Sequence, residues 1–121
     1  MFKKHVLLLV EDDEDIIKLI KVYLKSTKVK IYVSKTGEDA IEIVRSKPID
    51  IAFVDYKLPY KNGIIITNEI RAIKDIPIVL ETGEKMLCEN PELSKEFLFD
   101  DVLCKPFNRD TVMEILEKYL K

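Results

Sequence analysis

Five acidic residues stand in a row, Glu11, Asp12, Asp13, Glu14 and Asp15, directly after the apolar run VLLLV at residues 6–10. Carboxylates gathered at the end of a buried strand repel one another and raise each other's pKa values unless a cation sits among them. Other short apolar runs also end in residues with chemical potential: Asp55 follows IAFV, Thr82 and Gly83 follow PIVLE, and Lys105 and Pro106 follow VLC. If Glu11, Asp12 and Asp55 met, their all-oxygen donor set would suit Mg²⁺ or Mn²⁺ better than zinc. Mg²⁺ usually keeps several waters and is held by one or two carboxylates plus a phosphate oxygen, so such a site also implies a phosphate. A carboxylate, a lysine and a hydroxyl around a phosphate fit phosphoryl transfer, with Asp55 as the nucleophile that becomes an aspartyl phosphate.

These residues can meet only if the apolar runs are strands that end at one edge. The runs His5–Val10, Val29–Val33, Asp50–Val54, Pro77–Leu80 and Val102–Cys104 are short, and several are rich in Val and Ile, as expected of strands buried on both faces. Helical periodicity lies between them: Ile16, Leu19, Ile20, Tyr23 and Leu24 form one stripe, and Val112, Ile115, Leu116, Tyr119 and Leu120 another. Thr36 with Asp39, and Asn108 with Thr111, have the spacing of helix starts. Strand and helix alternate five times, which predicts a doubly wound α/β fold with a parallel sheet and helices on both faces. Such folds bind ligands outside the carboxyl ends of their strands.

Composition narrows the function. The chain has 121 residues, 47% of them apolar and 35% charged, enough for one ordinary core and one domain over residues 1–121. With a net charge of −2 and no stripe of Lys and Arg, direct nucleic-acid binding is not expected. The N-terminal apolar run is too short for a signal peptide or a membrane span, so a cytoplasmic location is expected. Cys88 and Cys104 lie sixteen residues apart without a CxxC, and the expectation is two reduced thiols.

Four segments, VLLLVED at 6–12, IAFVDYKLPYKNG at 51–63, PIVLETG at 77–83 and VLCKPF at 102–107, resemble the receiver domain of two-component response regulators. The resemblance covers essentially the whole chain and implies a five-stranded parallel sheet in the flavodoxin-like order 2-1-3-4-5. By matching position it implies Asp55 as phosphoacceptor, Asp12 as direct metal ligand, Glu11 as a contact through water, and the Lys57 carbonyl as third protein ligand. Thr82 resembles the switch hydroxyl and Lys105 the lysine that pairs with phosphoryl oxygens. The backbone N–H groups of Tyr56 and Gly83 match places that complete the phosphate cradle, and Pro106 the position preceded by a cis peptide bond. The resemblance also implies a phosphohistidine donor, and that histidine would belong to a partner histidine kinase or phosphotransfer protein, since the single histidine here, His5, opens the first strand at its far end. The downstream target would be another protein, and the only catalysis would be the domain's own phosphorylation and dephosphorylation. Asp13 competes with Asp12 for the metal; the stripe starting at Ile16, four residues after Asp12, favours Asp12 and leaves Asp13 to Asp15 at a helix N-terminus.

The chain departs from the family pattern in places. Val102 replaces the usual aromatic, which shifts the expected readout toward the fourth helix and its loop. Leu98 and Phe99 replace Gly-Ala; ENPELSKEF is expected to form a helix from near Pro91, after a loop over Glu84–Asn90. Glu81, in a place commonly apolar, is expected to be a strand-end acid in water, or else to face the signalling surface or pair with a lysine. Lys57 and Glu84 flank the entry of attacking water in the family, and their pairing is expected to slow autodephosphorylation. The alternative function is a degenerate receiver serving as a phosphorylation-independent interaction module. A phosphatase of the haloacid-dehalogenase type would use Asp13 and Asp15 as a DxD motif, but the chain leaves little room for a cap. An FMN carrier is disfavoured because acids stand where the flavin phosphate would lie.

Overall fold

The computed structural model describes residues 4–59 and 61–120. Strands β1 (Val6–Val10), β2 (Lys30–Ser34), β3 (Ile51–Asp55), β4 (Ile78–Thr82) and β5 (Asp101–Cys104) form one parallel sheet in the order 2-1-3-4-5. Helices α1 (Glu14–Leu24), α2 (Gly37–Ser46), α3 (Gly63–Arg71), α4 (Lys85–Glu89) and α5 (Leu93–Phe97) fill the connections, and α6 (Arg109–Tyr119) follows β5. The doubly wound fold expected from the sequence is the fold found.

Period-two alternation divides the core. Leu7, Leu9, Ile51, Phe53, Val79 and Leu103 face α1 and α6. Val6, Leu8, Val10, Ala52, Val54 and Ile78 face α2 and α3. Every residue of β1, β3 and β4 is buried, and these runs are apolar up to their carboxyl ends, where Asp55, Glu81 and Thr82 stand. A smaller cluster, Leu80, Leu87 and Phe99, lies under α4. The helix starts behave as their sequences suggest: Thr36 accepts from the Asp39 N–H at 3.1 Å and Asn108 from the Thr111 N–H at 2.9 Å.

Two local expectations need correction. Residues Glu84–Asn90 are not a loop: they contain α4, which Leu87 anchors in the third cluster, while α5 starts two residues after Pro91. The buried stripe of α1 is Ile17, Ile20 and Leu24, with Ile16, Leu19 and Tyr23 only half-buried beside it. The helix is therefore turned by one residue from a stripe beginning at Ile16, and stripe spacing alone does not choose between Asp12 and Asp13.

Candidate functional site

The carboxyl ends of β1, β3, β4 and β5 open onto one edge. Asp55 and Glu81 are register partners on adjacent strands, and Glu11 and Lys105 each follow the last residue of their strand. All four continue the face of Leu9, Phe53, Val79 and Leu103, so the floor of the site is the apolar layer under α1 and α6. Gly63, at the start of α3, lies so close to β3 that a Cβ there would stand 2.5 Å from the Asp55 carbonyl oxygen. Its N–H donates to the Tyr56 carbonyl at 2.7 Å, and only glycine permits this approach.

Lys105 Nζ lies 3.0 Å from Asp55 Oδ1 and 3.7 Å from Glu11 Oε1. Burial pulls its pKa down, but the hydrogen bond to Asp55 and the charges of Glu11, Asp55 and Glu81 outweigh that and leave it raised. One carboxylate oxygen from each of Glu11, Asp12 and Asp55 can be chosen so that all lie within 4.8 Å of one another. Asp12 is exposed, while Glu11 is fully buried. Burial, followed by the neighbouring Asp55 carboxylate, pushes the Glu11 carboxyl up to about 7 against the pull of Lys105. Glu11 Oε1 is buried with no hydrogen-bond partner, while Oε2 accepts from the Asp13 N–H at 3.3 Å. A buried carboxylate oxygen without a hydrogen bond, beside two further acids, fits a hard divalent cation. Asp13 caps α1 instead, accepting from the Asp15 N–H at 2.9 Å.

Around the mouth, Asp55, Tyr56, Lys57, Thr82, Gly83, Glu84 and Lys105 line a cavity of about 290 Å³. Thr82 Oγ1 accepts from the Glu84 N–H at 2.9 Å, which ties the hydroxyl to the loop entering α4. Lys57 Nζ and Glu84 Oε1 pair at 2.9 Å across the opening. The Lys105–Pro106 peptide is cis. Tyr56 requires correction as a cradle donor: its N–H already donates to the Glu81 carbonyl at 2.9 Å, continuing the β3–β4 ladder. His5 precedes β1 at the opposite end of the sheet, where its carbonyl accepts from the Lys30 N–H at 3.1 Å.

Glu81 is not an acid in water, nor does it face the outer surface. It is fully buried beside Asp55, and neither carboxylate oxygen has a hydrogen-bond partner. Burial, then the charges of Glu11 and Asp55, raise its pKa well above the ordinary range. Its strand parity was the available signal: two residues after Val79, a side chain must share the face of Asp55.

The cysteines likewise differ from expectation. Cys88 and Cys104 form a disulfide, with Cα atoms 6.0 Å apart. Their separation in sequence conceals that α4 folds back against the end of β5, where Cys104 is the register partner of Thr82.

The sequence profile of the response regulator receiver domain matches residues 7–117. The chain belongs to the response regulator receiver family. It is 30% identical over 115 residues to the transcriptional regulatory protein BaeR of Escherichia coli O6:H1, covering 95% of this chain and 48% of BaeR. It is 33% identical over 120 residues to the transcription factor SKN7 of Saccharomyces cerevisiae, covering 97% of this chain and 19% of that protein. This receiver thus spans about half the length, or less, of these relatives.

Among solved structures, the receiver domain of the sensor histidine kinase PA1611 from Pseudomonas aeruginosa, with magnesium coordinated in its active-site cleft, superposes with a TM-score of 0.82. The two are 28% identical, covering 95% of this chain and 96% of that one. Vibrio cholerae CheY4 shares the fold, with a TM-score of 0.85 and 23% identity over 96% of this chain and 98% of its own. Receiver domains are phosphoacceptor switches of two-component systems that bind Mg²⁺ in the cleft and interact with histidine kinases or phosphotransfer proteins.

Proposed function

We propose that this receiver takes a phosphoryl group on Asp55 from a partner histidine kinase or phosphotransfer protein in the cytoplasm, and that the added charge changes its surface for a protein target. The reading rests on the approach of Lys105 to Asp55 at 3.0 Å beside the Glu11–Asp12–Asp55 donor cluster. Asp12 and Asp55, with the Lys57 carbonyl, would hold a divalent ion directly and Glu11 through water. Such an ion would offset negative charge on the carboxylates and phosphoryl oxygens.

An Asp55 carboxylate oxygen bonds to phosphorus as the bond from phosphorus to the donor's leaving group breaks. Lys105 supplies positive charge to the phosphoryl oxygens. Thr82 exchanges its hydrogen bond from the Glu84 N–H for one donated to a phosphoryl oxygen, which draws the Gly83–Glu84 loop toward Asp55. With Val102 in the place of the aromatic, α4 and this loop carry the conformational change outward.

Intact mass after treatment with acetyl phosphate and Mg²⁺ tests the reading. The expected result is a gain of one phosphoryl group, absent in Asp55→Asn. No gain in the wild type would favour an interaction module that works without phosphorylation.

A further inference from the structure

The Cys88–Cys104 pair stands next to the moving parts of this site. Cys104 immediately precedes Lys105, and Cys88 Sγ lies 3.7 Å from the Thr82 carbonyl oxygen. The helix that carries Cys88 has little else to hold it. Helix α4 is five residues long, its N-cap Glu84 makes no side-chain capping bond, and Leu87 is its one buried side chain. A helix this short does not persist without tertiary support, so a covalent tie to β5 largely decides where it sits. Both cysteines are half-buried and line a groove of about 240 Å³ with Leu87, Phe99 and Val102, which gives small reagents access.

We propose that Cys88 and Cys104 form a reversible redox latch that controls how readily this receiver switches. The proposal deepens the phosphoacceptor reading and rests on it for its effect on signalling. In the cytoplasmic location proposed above, a disulfide is more often a transient, redox-sensing bond than a permanent one. The oxidant is a low-molecular-weight disulfide. One cysteine thiolate attacks it, forming a mixed disulfide and releasing one thiolate. The second cysteine thiolate then displaces the other thiolate and closes the Cys88–Cys104 bond. Two electrons pass to the reagent, and the two cysteine protons end on the two released thiols.

Closed, the latch holds α4 against β5 and keeps Thr82 on the Glu84 N–H. Open, it frees α4 and the loop to follow the phosphoryl group.

The full chain is equilibrated with either dithiothreitol or glutathione disulfide, and its free thiols are counted by maleimide labelling and intact mass. Amide exchange over residues 82–98 and the rate of phosphorylation by acetyl phosphate are then measured. The expected result is two labels when reduced and none when oxidised, with exchange and phosphorylation both about tenfold slower in the oxidised form. Cys88→Ser, outside the phosphorylation machinery, should respond to neither reagent in these two rates.

Two labels on the glutathione disulfide-treated protein, or equal exchange over residues 82–98 in the two states, would overturn the latch. If neither form takes up phosphate, the phosphoacceptor reading fails, while labelling and exchange still decide whether the cysteines control α4. Phosphorylation at equal rates in the two forms would leave that reading standing and reject the latch as a control of it.

Discussion

Lys105 reaches Asp55 across an intervening strand: Nζ and Oδ1 are 3.0 Å apart although β4 separates β3 from β5. Glu81 occupies the strand between them, so Glu11, Asp55 and Glu81 share the influence of one ammonium group. Replacing that ammonium in Lys105→Met removes a charge-assisted contact worth about 1.5–3 kcal/mol, or roughly a 10–150-fold loss in rate if it acts fully in the transition state. A time course of phosphoryl incorporation checks this, and a wild-type rate in the variant would remove Lys105 from the mechanism.

Glu81 makes the metal-free fold sensitive to alkali. Its pKa, and that of Glu11 at about 7, are raised above the ordinary value of 4.5. Between those values the unfolded chain binds fewer protons than the folded one, so stability falls as pH rises from about 4.5 through 7. In chelator, Glu81→Leu should stabilise the protein by about 1–3 kcal/mol at alkaline pH and less at pH near 4.5. Urea melts from pH near 4.5 into the alkaline range test both the size and the sign; a variant less stable than wild type at alkaline pH would contradict the account.

The Lys57–Glu84 pair spans the mouth of the cavity at 2.9 Å but is largely solvated. Its expected effect is on access of water rather than on stability. Lys57→Ala and Glu84→Ala should each shorten the phosphoryl lifetime severalfold, with melting temperatures unchanged. Decay of the phosphorylated mass peak after donor removal is the measurement, and unaltered lifetimes in both variants would count against the gate.

Leu98 ends α5 in the left-handed region, with φ 66° and ψ 21°. The carbonyl of this residue accepts from the Arg71 guanidinium at 2.8 Å, which holds the corner between α5 and β5. A branched side chain in this conformation is strained, so Leu98→Gly should raise stability by about 1 kcal/mol. Thermal unfolding should show the gain, and a loss would mean that the half-exposed leucine contributes more by packing than its backbone costs.

The architecture was legible because buried parallel strands leave continuous apolar runs and because the chain punctuates them with caps such as Thr36 and Asn108. The candidate site was visible for a related reason: strand ends place distant residues at one edge. What sequence reading missed depended on side-chain direction or on helices too short to show a period. The place of Glu81 at the end of a strand suggests a solvated acid, and only its parity with Val79 marks it as buried. Helix α4 has five residues, too few for a stripe, so the return of Cys88 onto β5 was hidden along with it. The motif position of Tyr56 matches a cradle donor but does not reveal that the β3–β4 ladder continues one residue past Asp55 and takes up its N–H.

Glu11, Asp55, Glu81 and Lys105 stand in phase with Leu9, Phe53, Val79 and Leu103, each two residues further along its strand. Adding or deleting one residue between the core and the rim would send the following side chain to the opposite face. Divergence of this site is therefore open to exchange of residues but closed to small insertions and deletions within these strands. Length can vary beyond the rim, in the loops that leave these strands, so lineages of such domains would record their history in loop lengths and in the identities of rim residues, with the spacing between core and rim held constant.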